Sequence, residues 1–125
     1  MRYLVDTHIL LWSISGSKRL KNSVKDILVD SSNQVYVSVV SGLEIAIKKR
    51  TGKIRLKTSL KECFKKSGFS LLDVNLSHAL ELDRLPIHHN DPFDRILISQ
   101  AKVENLTLIT ADKKIWRYKV PVLKA

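Results

Sequence analysis

The chain has one cysteine, three prolines and four glycines in 125 residues, and its twelve acids are outnumbered by twenty-two Lys and Arg. Each scarcity excludes something. With Cys63 alone, no internal disulfide can form, as suits a reducing compartment. Cys63 stands beside Phe64 in an amphipathic stretch and reads as a buried structural thiol. Few Pro and Gly leave no interdomain linker, and there is no repeat or low-complexity segment. No apolar run approaches a membrane span, and Asp6 and His8 interrupt the apolar start, so it is no secretory signal. A cytoplasmic protein with no membrane attachment is expected.

What is present is apolar residues, at 44%, and a net charge of +10. The first is enough for a globular chain of one domain, residues 1–125, whose core needs no staples. The second favours a polyanionic partner, nucleic acid first.

Strand and helix signals alternate. Tyr3 to Val5 is a short apolar strand and a helix follows near Ile9 to Ile14. Leu20, Val24, Ile27 and Leu28 keep the spacing of one helical face, which predicts a helix over about residues 20–30. Val35 to Val39 is β-branched and aromatic, and reads as a strand. A helix beginning at Leu43, Ala46 and Ile47 ends near Gly52. Ser59 to Lys66 forms the next helix, Phe69 to Val74 a third strand, and Ser77 to Leu85 a helix broken by Pro86. Asp91-Pro92 opens a helix carrying Phe93, Ile96, Leu97 and Ala101. Leu106 to Ile109 is a fourth strand, Lys113 to Trp116 a short helix, and Val120 to Leu123 an edge strand. The alternation predicts an α/β fold, a mostly parallel sheet with helices on both faces. Functional groups in such sheets gather at the carboxyl ends of the strands.

Acids stand at those junctions: Asp6, Glu44, Asp94 and Asp112. Singly, each has a structural explanation. Asp6 suits a helix N-cap. Ser41 and Glu44 have capping-box spacing, as do Ser59 and Glu62, and Lys48 could simply pair with Glu44 across one turn. Asp91 is a natural cap before Pro92, with Asp94 in the first turn. Asp112 could cap the short helix after it. Together they say more. Two carboxylates about 4 Å apart repel by on the order of 4 kcal/mol at an effective dielectric near 20. A cluster of four needs protons or a cation to offset that. Oxygen-only ligands suit Mg²⁺ or Mn²⁺, and such a metal lowers the pKa of a bound water and stabilises a pentavalent phosphate.

In five segments the chain resembles the PIN-domain ribonucleases, specifically the VapC-type toxins of toxin–antitoxin pairs. The segments are Met1 to His8, Ser41 to Lys48, His88 to Ala101, Leu108 to Asp112 and Val120 to Leu123. At Gly42 the chain departs from the bulkier residue common in that family. The resemblance implies a three-layer α/β/α sandwich with strand order 3-2-1-4-5 and a metal-dependent endoribonuclease. It implies Asp6 and Asp94 as core ligands of Mg²⁺ or Mn²⁺, Glu44 and Asp112 completing the site, and Thr110 orienting water or a carboxylate. It also implies an RNA substrate, a cognate antitoxin whose tail crosses the active site, and a homodimer. Lys48, Arg95 and Arg50 are candidate RNA contacts, within a basic stretch that includes Lys49, Lys53 and Arg55. Trp12 could stack a base, but an aromatic at a protein interface explains it as well.

Three other readings fit less well. A metal-free ribonuclease would draw acid–base pairs from His8, His78, His88 and His89, yet the last two fall in a loop where exposure is expected. A phospho-acceptor receiver needs paired acids after strand one, where Asp6 stands alone, and a less basic chain. A PIN-like module that binds nucleic acid without cutting it would not need an intact acidic quartet.

Overall fold

A computed structural model describes residues 1–125. The elements run β1 (Arg2–Val5), α1 (Thr7–Ser15), α2 (Asn22–Val29), β2 (Gln34–Ser38), α3 (Val39–Arg50), α4 (Leu60–Ser67), β3 (Ser70–Leu72), α5 (Leu76–Arg84), α6 (Pro92–Glu104), β4 (Thr107–Thr110), a 3₁₀ turn (Ile115–Arg117) and β5 (Val122–Lys124). The order expected from the sequence is the order found. All four strand pairings are parallel, in the order β3-β2-β1-β4-β5.

Alternation along the strands builds two cores, one on each face. Tyr3, Val5, Val35, Val37 and Ile109 face Ile9, Leu10, Leu20 and Val24 of the α1–α2 side. Leu4 and Leu108 face Leu85, Leu97, Ile98 and Ala101 of the α5–α6 side. The result is three layers, α/β/α. Helix α3 gives Ile45 to the first core and Val40 to the second, so it crosses the sheet's carboxyl rim between the layers.

The boundaries differ from expectation mainly at α3. Val39 reads as strand because it is β-branched, but it opens the helix. Ser38 is the N-cap, with its hydroxyl accepting the Val40 N–H at 3.0 Å. Ser41 and Glu44 therefore lie inside the helix, where no capping box can form. Ser59, in contrast, caps α4 and accepts the Glu62 N–H at 3.2 Å. Helix α5 has a capping box with no Glu in it: Asn75 and His78 exchange side-chain and backbone bonds. Gly42 is where Phe64 of α4 packs, and a Cβ there would stand 3.3 Å from the ring's Cζ. No helix is long and apolar enough to cross a membrane.

Candidate functional site

Because the sheet is parallel, β1, β2 and β4 end on the same rim, and the residue after each is set there by the strand before it. Asp6 follows β1 and is buried at 3% exposure. Its Oδ1 accepts the Ile9 N–H at 2.8 Å, which caps α1, and its Oδ2 accepts the Thr110 hydroxyl at 2.5 Å. Thr110 ends β4 and also accepts the Asp112 N–H at 3.0 Å. Its hydroxyl thus ties the ends of β1 and β4 together and orients a carboxylate.

Glu44 is equally buried. Thr7 Oγ1 donates to its Oε1 at 2.7 Å and lies 2.9 Å from Ser41 Oγ, while Lys48 Nζ meets its Oε2 at 2.5 Å. The serine and glutamate of the apparent capping box thus both face Thr7. The Glu44 carboxylate holds the Lys48 ammonium charged, raising its pKa chiefly through that hydrogen bond.

Asp94 stands in the first turn of α6, its N–H donating to Asp91 Oδ1 at 3.0 Å. Asp91 is thus the cap, as its place before Pro92 suggests. Burial, then the negative charge of Asp91, pushes the Asp94 carboxyl up to about 7, with Asp6 and Glu44 adding to the effect. Asp6 is also raised, chiefly by burial, against the lowering effect of its bonds from Thr110 and Ile9. Asp6, Glu44 and Asp94 are thus close in space, and Asp112 joins them through Thr110, which accepts its N–H and donates to Asp6.

One residue was expected elsewhere. His89 is not solvent-exposed: its side chain is 9% exposed and its Nε2 lies 2.9 Å from Asp94 Oδ2 and 3.1 Å from Asp112 Oδ2. In the sequence His89 stands in the His88 to Ala101 segment and among the candidate acid–base histidines, but nothing there sets it against Asp94 and Asp112. His89, Asp94 and Asp112 bring one donor atom each within 4.8 Å of one another. The carboxylates fit a divalent cation: Asp94 and Asp6 carry charges that burial penalises, and Asp112 lies beside Asp94 at the same rim. Asp6 and Glu44 lie near enough to act on Asp94 but hold their oxygens on Thr110, Ile9, Thr7 and Lys48.

The basic candidates divide. Lys48 stands at the rim on Glu44. Arg50 is exposed in the last turn of α3, beside Lys49. Arg95 points away from the rim: its guanidinium donates to the carbonyls of Leu85, Pro86 and His89 and to the Tyr118 hydroxyl, at 3.1–3.4 Å. Trp12 is partly buried, its ring 6.2 Å from that of His8.

Sheet, layers and rim together define an α/β/α protein with a carboxylate centre. The family model for the PIN domain matches residues 3–121, and the chain belongs to the PIN-domain family. Its fold is similar to that of VapBC2 from Rickettsia felis, solved bound to a DNA fragment from their promoter. The TM-score is 0.76 and the identity 18%, over 100% of this chain and 99% of that one. VapBC-1 from nontypeable Haemophilus influenzae gives 0.68 at 17% identity, covering 99% and 98%. FitAcB from Neisseria gonorrhoeae gives 0.65 at 19%, covering 99% and 97%. No curated protein matches the chain in sequence.

Proposed function

We propose that this PIN domain is a metal-dependent endoribonuclease, the VapC-type toxin of a toxin–antitoxin pair, acting in the cytoplasm as a single domain over residues 1–125. The observation that supports the reading is the nearness of Asp6 and Glu44 to a buried Asp94, pushed up to about 7, with Asp94 and Asp112 both on His89 Nε2. Asp94 and Asp112 would hold Mg²⁺ or Mn²⁺ with Asp6, and Glu44 would complete the site directly or through water. The bound ion would supply an acidified water and charge stabilisation at the phosphate. Thr110 fixes the Asp6 oxygen, and Thr7 with Lys48 fixes Glu44. Lys48 and Arg50 serve as phosphate contacts for RNA. Arg95, engaged with carbonyls, serves the loop before α6 instead.

Antitoxin binding and a homodimer both need apolar surface. Leu43 and Ile47 on α3, and Leu76 and Leu80 on α5, form exposed i, i+4 stripes. A separate groove of about 330 Å³ has Leu11, Ile14, Ile54 and Leu56 on its walls and Arg55 and Lys57 among its lining, which suits an acidic, amphipathic antitoxin segment.

The test is cleavage of total cellular RNA by wild type and Asp94→Asn, with Mg²⁺, with Mn²⁺ and with EDTA. Discrete fragments from wild type alone, lost in EDTA, are expected. Cleavage that survives both EDTA and Asp94→Asn would overturn the metal reading. Binding without cleavage would make this a nucleic-acid-binding module.

A further inference from the structure

His89 comes from a loop that is held from several sides. Tyr118 Oη accepts the N–H groups of His88 and His89, each at 3.0 Å. Arg95 donates to three carbonyls of the same loop and to the same hydroxyl. A swing of the loop would break all of these bonds at once. The ring is thereby presented to two carboxylates from different elements, Asp94 at the start of α6 and Asp112 after β4. The carboxylates themselves have no other common partner. Asp112 also accepts the Lys114 N–H at 2.9 Å through Oδ1, which leaves Oδ2 to His89.

Two carboxylate oxygens at 2.9 and 3.1 Å from Nε2 decide which way the bond runs, because an ionised carboxylate only accepts. Nδ1 faces the Asp91 N–H at 3.5 Å, longer than an ordinary hydrogen bond but in the sense of an unprotonated nitrogen there. The proton of the neutral ring then belongs on Nε2, between the two carboxylates. A ring ligating a metal through Nε2 would carry its proton on Nδ1, against the Asp91 N–H.

We infer that His89 is a positioning residue of the carboxylate centre: its Nε2–H bridges Asp94 and Asp112 and fixes how both offer their remaining oxygens to a divalent cation. The inference rests on the metal reading above. Groups that orient metal ligands in this way typically change metal affinity by about 10- to 100-fold when removed.

The test uses the full chain, with Mn²⁺ affinity measured by the electron paramagnetic resonance of free ion in wild type, His89→Ala and His89→Gln. Thermal unfolding of the metal-free proteins runs alongside. His89→Ala should weaken Mn²⁺ about 10- to 100-fold, and His89→Gln, whose amide N–H can donate to the same oxygens, should recover most of the loss. Unchanged affinity in both variants, or equal losses in both, would overturn the bridge. A second measurement needs only wild type. The ¹⁵N shifts of the His89 ring, identified by their loss in His89→Gln, should report a proton on Nε2 before and after saturation with Mg²⁺. A proton that moves to Nδ1 when the ion binds would make His89 a ligand and overturn the positioning role. Wild type that binds no Mn²⁺ would refute the metal reading itself, and the bridge with it.

Discussion

Asp6 does two things because a carboxylate has two oxygens: one caps α1 and the other takes the Thr110 hydroxyl. Asp6→Asn keeps an acceptor for the cap and removes a charge that burial disfavours. Its metal-free urea midpoint should equal or exceed that of wild type while RNA cleavage is lost. Asp6→Ala should lose cleavage and about 1 kcal/mol of stability besides, since the cap goes too. Asp94 predicts a pH effect. Its carboxyl is raised to about 7 in the fold, so the folded state holds the proton more tightly than the unfolded chain. That contribution to stability is complete below the ordinary carboxyl range and is lost as pH rises through about 7. Metal-free wild type should therefore lose more stability between pH 5 and pH 8 than Asp94→Asn does, and saturating Mg²⁺ at pH 8 should restore it in wild type alone. Urea unfolding at the two pH values checks both. At this scale the sequence was ambiguous. Asp94 and Asp112 showed their place, but Glu44 carried a capping-box pattern that the helix start at Val39 annuls, and the loop position of His89 pointed to solvent rather than to the carboxylates.

Among the elements, α3 decides the most. Its start is set by Ser38, whose hydroxyl caps it, and from that start Glu44 falls on the face toward Thr7. The β-branched pair Val39 and Val40 hides that start in the sequence, because strand and helix compete for such residues until packing chooses. Gly42 shows what a missing side chain permits: Phe64 of α4 packs into the space. A larger residue there must displace the ring, so Gly42→Leu should cost about 1–3 kcal/mol in urea unfolding. A smaller loss would mean that Phe64 moves freely. Helices α4 and α6 were legible from explicit end signals, Asp91-Pro92 before α6 and Gly68 after α4, where φ is +71°, and α2 from its apolar spacing alone.

Over the whole molecule, the parallel sheet turns residues more than a hundred positions apart, Asp6 and Thr110, into hydrogen-bonded neighbours. Around this acidic rim the chain carries a net charge of +10. RNA affinity should accordingly fall steeply with salt, with a log–log slope of about −0.7 for each single-stranded phosphate contacted. If Lys49 and Arg50 each contact one phosphate, Lys49→Ala with Arg50→Ala should make that slope about 1.4 less steep. An unchanged slope, measured with catalytically inactive Asp94→Asn as background, would place the RNA on another face.

The sequence by itself determined the element order and the two apolar faces of each central strand, because hydrophobic period and end signals are local. It also marked Asp6 and Asp112 after β1 and β4, since those positions follow from the order, but not that Glu44 lies inside α3 or that Asp94 follows α5 rather than a strand. The tertiary structure alone decided which oxygens face the rim, that Arg95 turns to the loop rather than outward, and that His89 lies between two carboxylates. Those outcomes depend on contacts between residues distant in the chain, and a local pattern carries no record of them.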